Sequence, residues 1–109
     1  MRSGYRMWIL SFALIAPALL LASGKGDVAK GKALFSRCAI CHGDRGEGKE
    51  AITKAFGVQM PALSSKEVQS LDDAALKKVI TEGKGKMRPV NLTDPEVEDV
   101  IAFLRSLKK

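Results

Sequence analysis

The chain has 109 residues and carries 18 Lys and Arg against 12 Asp and Glu, a formal net charge of +6. That length holds one small domain, and the basic side chains are spread along it with few aromatics to stack on bases, which argues against a nucleic-acid binder. Two Cys and one His are too few for a four-ligand structural zinc site unless a carboxylate completes it.

The first segment reads as an address rather than as part of the fold. Arg2 and Arg6 precede an apolar run from Met7 to Ala22, broken only by Ser11 and Pro17, and the small residues Ala22-Ser23-Gly24 follow. This is the order of a secretory signal peptide, with cleavage expected after Gly24, within a residue or two. The alternative is an uncleaved anchor. Against it, the run is short for a span of about 20 residues and Pro17 interrupts it. Removing Arg2 and Arg6 with the leader leaves a net charge of +4 on residues 25–109, which form a single domain. Tyr5, Trp8 and Phe12 go with the leader, so the mature chain keeps Phe35, Phe56 and Phe103. So few large side chains make a thin core, and small domains with thin cores need a covalent or metal staple.

Asp27 is placed to cap a first helix from Val28 to about Arg37, with Leu34 and Phe35 on its apolar face and Gly31 on the same side as Phe35. A glycine inside a helix costs about 1 kcal/mol relative to Ala, and close approach of another helix would explain it. Cys38-Ala39-Ile40-Cys41-His42 follows. It reads C-x-x-C-H, the attachment signature of c-type haem. On a helix, positions three and four apart share a face. Both thiols can therefore reach the two vinyl groups on one porphyrin edge while His42 reaches the iron as proximal ligand. A disulfide redox motif, zinc and a chance match are the weaker readings of the same residues.

Residues 43–57 are polar and rich in Gly, Lys and Glu, and read as a loop. Pro61 biases Met60 toward an extended or turn conformation. Ser64 and Glu67 fit a capping box for a short helix, and Ser70 with Asp73 form a weaker cap for a helix through Glu82. Its apolar face carries Leu71, Ala75, Leu76, Val79 and Ile80, and Gly83 is a natural stop. Residues 83–89 are irregular by composition. Thr93-Asp94-Pro95-Glu96 is a capping box with Pro in the first turn, opening a last helix with Val97, Val100, Ile101, Leu104 and Leu107 at helical spacing and Phe103 beside that stripe. No strand periodicity and no internal repeat appears.

With these residues in order, the chain resembles the class I, mono-haem cytochrome c family across residues 25–109. The carriers are Gly31 and Phe35, the Cys38–His42 motif, Pro61-Ala62-Leu63, Met87 after a Gly-rich segment, and the final helix with Phe103. The resemblance implies an all-α fold of about four short helices around one covalently attached haem c. It implies that the first and last helices cross at Gly31 beside Phe35 and Phe103. It also implies that the carbonyl of Pro61 lies near the proximal imidazole and orients His42 through Nδ1, as second-shell partners of histidine ligands do. Two features depart from the family pattern. Arg88 separates Met87 from Pro89, and the mature chain lacks the Trp and Tyr that often bond the propionates, leaving Arg45, Lys49, Gln59 and Asn91 as substitutes.

For the distal position the single histidine excludes bis-histidine ligation within one chain. Met87, Met60, a lysine or an open site remain. Met87 is favoured, because it lies in a Gly-rich, apolar-poor loop with no core to fill, whereas Met60 adjoins Pro61 on the side that the resemblance makes proximal. The expected function is one-electron transfer outside the cytoplasm, in the periplasm for a Gram-negative source. No acid/base or nucleophile constellation is visible, so no enzyme activity is expected. Redox proteins with acidic docking patches are the expected partners, for a monomer with no membrane insertion once the leader is removed. The alternative is a haem enzyme or gas sensor with an open distal site.

Overall fold

A computed structural model describes residues 25–109, and the expected leader at 1–24 lies outside the described residues. The described chain is helical. Its elements are α1 (Val28–His42), α2 (Glu50–Phe56), α3 (Lys66–Gln69), α4 (Asp73–Glu82) and α5 (Asp94–Ser106). Among these residues the only β feature is an isolated bridge between Lys84 and Met87. No helix there is long and apolar enough to cross a membrane.

The architecture rests on α1 packing across α5, with α4 also packed against α5. Gly31 is the reason that α1 and α5 approach so closely. A Cβ at Gly31 would run into the backbone carbonyl of Asp99 and stand 2.9 Å from the Cβ of Phe103. Next to this contact the rings of Phe35 and Phe103 meet with centroids 5.0 Å apart, tilted by 53°, a favoured aromatic arrangement. Val97 and Val100 of α5 are fully buried, and Ile101, Phe103 and Leu104 complete the face that α1 and α4 share. From α4 the core takes Leu76 and Ile80, whereas Leu71, ahead of the helix, is exposed.

The helix ends follow from their side chains. Asp27 accepts from the N–H of Lys30 at 3.0 Å. Thr93 and Glu96 form the full reciprocal box, the Thr93 N–H donating to the Glu96 carboxylate at 2.9 Å and the Glu96 N–H to the Thr93 hydroxyl at 3.4 Å. At two other helices the cap is one or two residues away from the expected position. Ser65, not Ser64, accepts from Val68 at the start of α3, and Asp72, not Ser70, accepts from Ala75 at the start of α4.

Three larger differences stand against the sequence expectation. First, α1 does not end near Arg37 but continues through the cysteine motif to His42, where Gly43 stops it. Second, residues 50–56 form α2 instead of loop. Ala51 and Ala55 are strong helix formers, Glu50 and Lys54 pair at 2.8 Å one turn apart, and Gly57 ends the helix in the left-handed conformation. Third, α2 brings the number of described helices to five, against about four expected.

A polar clamp fixes the corner between α3, α4 and α5. Arg105 donates to the Asp73 carboxylate and to the carbonyls of Gln69 and Leu71. The amide of Gln69 in turn donates to the carbonyls of Leu63 and Leu104, each at 2.8 Å. This ties the Pro61-Ala62-Leu63 segment to α5.

Candidate haem site

The last turn of α1 carries Cys38, Cys41 and His42 together. Both cysteines are free thiols and half-buried, and Cys38 packs against the edge of the core. Their location separates a redox dithiol from a scaffold for a prosthetic group. Redox C-x-x-C thiols gain a stabilised thiolate where a helix begins. Here the motif sits where a helix ends, next to the negative end of its dipole. Burial pushes the Cys38 thiol above its ordinary value; Arg37 partly opposes this and Cys41 adds to it. At neutral pH the group is a thiol, not a nucleophilic thiolate.

His42 is neutral at pH 7. Burial lowers its pKa and keeps the imidazole uncharged, as a histidine ligand must be. Its Nδ1 is buried and makes no hydrogen bond among the described residues. The bond expected from this ring to the carbonyl of Pro61 is therefore not formed in this structure. Pro61 itself is exposed, in a segment anchored by the Leu63 N–H donating to the carbonyl of Gly46 at 2.8 Å. Two free thiols and a neutral imidazole on one helical turn are a donor set that fits a group engaging this turn from outside the chain. Among the described residues no three His, Cys, Asp or Glu side chains are arranged to hold a bare metal ion.

After His42 the chain folds back on the motif. The Gly43 N–H donates to the Ala39 carbonyl, the Gly48 N–H to that of His42, and the Lys49 N–H to that of Cys41 at 3.3 Å. The Glu47 carboxylate accepts from the Arg45 N–H at 2.8 Å. Backbone N–H groups of Glu47 and Arg45 hold its carboxyl below the usual range. Met60 is half-buried and lies against this fold-back, its sulfur 3.9 Å from where a Cβ on Gly48 would stand.

Met87 is presented differently. Lys84 and Met87 exchange both backbone hydrogen bonds, at 3.0 and 2.9 Å, around the two-residue turn Gly85-Lys86. Gly85 has φ +58, and glycine at the first central position is the signature of a tight hairpin turn. Gly83 ends α4 at φ +79, and a Cβ there would stand 2.5 Å from the Met87 carbonyl oxygen. Beyond the turn, the Val90 N–H donates to the carbonyl of Ile80 at 2.8 Å. The loop is thus closed on the end of α4. Within it Met87 is half-buried between exposed Lys86 and Arg88. The spacing Gly83-Lys84-Gly85 was the available sequence signal for this turn, which composition alone reads as irregular.

Comparison with known proteins agrees with this geometry. Residues 28–108 match the cytochrome c family. The chain belongs to the cytochrome c family. It is similar to the KustC0563 c-type cytochrome, with 27% identity, a TM-score of 0.62, and coverage of 72% of this chain and 98% of that one. It is also 31% identical over 100 residues to a thiosulfate dehydrogenase of Stutzerimonas stutzeri (strain A1501). That match covers 83% of this chain but only 30% of the relative, so the chain spans less than a third of that protein. As a cytochrome c, the chain carries covalently attached haem c. The Cys38–His42 run fits the family's C-x-x-C-H motif.

Proposed function

We propose that residues 25–109 are a mono-haem electron shuttle that works outside the cytoplasm, delivered there by cleavage of the leader after Gly24. Cys38 and Cys41 hold the haem as thioethers: each thiol adds across a vinyl group, sulfur to one carbon and hydrogen to the other, with no net oxidation. His42 is the proximal iron ligand and Met87 the distal one. The bound haem supplies a one-electron couple; the chain supplies attachment, axial ligation and exclusion of water. Partners are redox proteins with acidic docking patches, met by a monomer.

The observation that carries the ligand assignment is the closed turn from Lys84 to Met87, which keeps one half-buried thioether in a loop otherwise exposed. Met60 is the weaker choice because it lies against the fold-back from His42, the histidine's own stretch of chain. Axial thioether ligation raises the reduction potential and leaves no vacant position for oxygen or peroxide. The second reading is a haem enzyme or gas sensor with an open distal site; the similarity to a thiosulfate dehydrogenase favours only its enzyme form.

Carbon monoxide separates the two. The ferrous wild-type protein is expected to stay low-spin and not bind the gas. Met87→Ala should become high-spin, bind it, and lose potential, while Met60→Ala changes little. Binding by the wild type would establish the open site, and the reverse pattern in the two variants would transfer the ligand to Met60.

A further inference from the structure

Among the described residues, α2 packs extensively against no other helix. It belongs to neither packed pair, α1 with α5 or α4 with α5, and it buries none of its residues. It is nonetheless two-sided. Glu50 and Lys54 pair along one face. At 100° per residue, Ile52 and Phe56 fall on the opposite face. Phe56 is 49% exposed; Ile52 is half-buried, as is Val58 just beyond the helix. Seven residues are too few to hold a helix without tertiary packing, so the apolar face needs a cover.

Both ends of this excursion stand on the haem motif. At its start Gly48 and Lys49 donate their N–H groups to the carbonyls of His42 and Cys41. At its end Met60 returns to Gly48. Of the three phenylalanines in residues 25–109, Phe35 and Phe103 are buried against each other between α1 and α5. Phe56 is the remaining ring, and it is carried by the segment tethered at the attachment turn.

We propose that Ile52 and Phe56 are haem-contact residues, with the apolar face of α2 packed on the haem held by the Cys38–His42 turn. The inference rests on haem attachment at that turn and is independent of which residue fills the distal position. The Glu50–Lys54 face is then the one turned to water, as its exposure requires.

The test is proton–carbon NMR of the ferrous holoprotein. Ile52 methyl signals are assigned by their loss in Ile52→Val, and Phe56 ring signals by their loss in Phe56→Leu. Low-spin ferrous iron is diamagnetic. If the distal site proves open, the carbon monoxide adduct is diamagnetic too, so failure of the Met87 assignment leaves this measurement intact. Contact with the porphyrin should displace both sets of signals by its ring current, outside the range ordinary for their residue types. Ordinary positions for both would overturn the proposal. As a second readout, Phe56→Ser is expected to admit water and lower the reduction potential. An unchanged potential, with slower electron exchange with a protein partner, would instead make this face a docking surface and defeat the proposal.

Discussion

A methyl group at Gly31 would have nowhere to go. Its nearest neighbours are the Asp99 backbone carbonyl and the Cβ of Phe103, and neither is the flexible end of a side chain. Gly31→Ala must push α1 away from α5 and open the Phe35–Phe103 contact, even though Ala is the better helix former by about 1 kcal/mol. Overpacking of a tight core costs about 1–3 kcal/mol, and a backbone obstacle belongs at the upper end. Denaturant unfolding of the holoprotein should show that loss. A neutral or stabilising Gly31→Ala would mean that the helices are free to separate. The contrast with Gly85 is instructive: nothing lies within 4 Å of a Cβ there, so only its positive φ constrains it. The two glycines are chosen for different reasons, close helix approach at Gly31 and a turn at Gly85.

At the scale of elements, α5 offers a pH-dependent lock. Hydrogen bonding to the Thr93 backbone N–H, reinforced by the Thr93 hydroxyl, holds the Glu96 carboxyl below its ordinary pKa. A carboxyl depressed in the folded state contributes stability that is present above its unfolded pKa, about 4.3. That contribution is lost as pH falls through the lower folded value. The melting temperature of the wild type should therefore fall more steeply with acidification than that of Glu96→Gln, the two curves running parallel above about pH 5 and converging as pH drops below about 4.3. Curves parallel at every pH would show that the box contributes nothing through its charge. This box is legible in the sequence because both partners lie within four residues and Pro95 marks the first turn. Likewise Cys38, Cys41 and His42 are legible because one helical turn holds them. Where the reading goes astray, the deciding contact is not local in type or lies in competing candidates. Neighbouring serines and aspartates compete for the caps of α3 and α4. Glycine and charge around α2 mask its Ala51–Ala55 spacing and its Glu50–Lys54 pair. The Gln69–Arg105 clamp joins residues 36 apart, which no window of sequence displays.

For the whole molecule, the same logic divides the proposed site. The proposed proximal half is written in five consecutive residues, whereas the distal half proposed at Met87 would depend on a turn whose closure needs α4 to end at Gly83 and Val90 to return to Ile80. That turn also has an electrostatic consequence. Lys84, Lys86 and Arg88 are all exposed around Met87, so a haem ligated by Met87 would lie beneath a positive rim. Electron-transfer encounters are small and weak, and charge then acts mainly on the association rate. At 0.15 M salt the Debye length is about 8 Å, so a local rim should matter only at low ionic strength. Oxidation of the ferrous protein by the anion ferricyanide is expected to slow as salt rises, and oxidation by a cationic cobalt complex to accelerate. Net charge alone would produce the same trend, so the decisive comparison is between two double reversals that change net charge equally. Lys84→Glu with Lys86→Glu should slow the ferricyanide reaction at low salt more than Lys66→Glu with Lys108→Glu, whose exposed side chains lie outside the Met87 turn. Equal effects from the two pairs would reduce the basic turn to a solvated loop and leave partner steering to the overall charge of the protein.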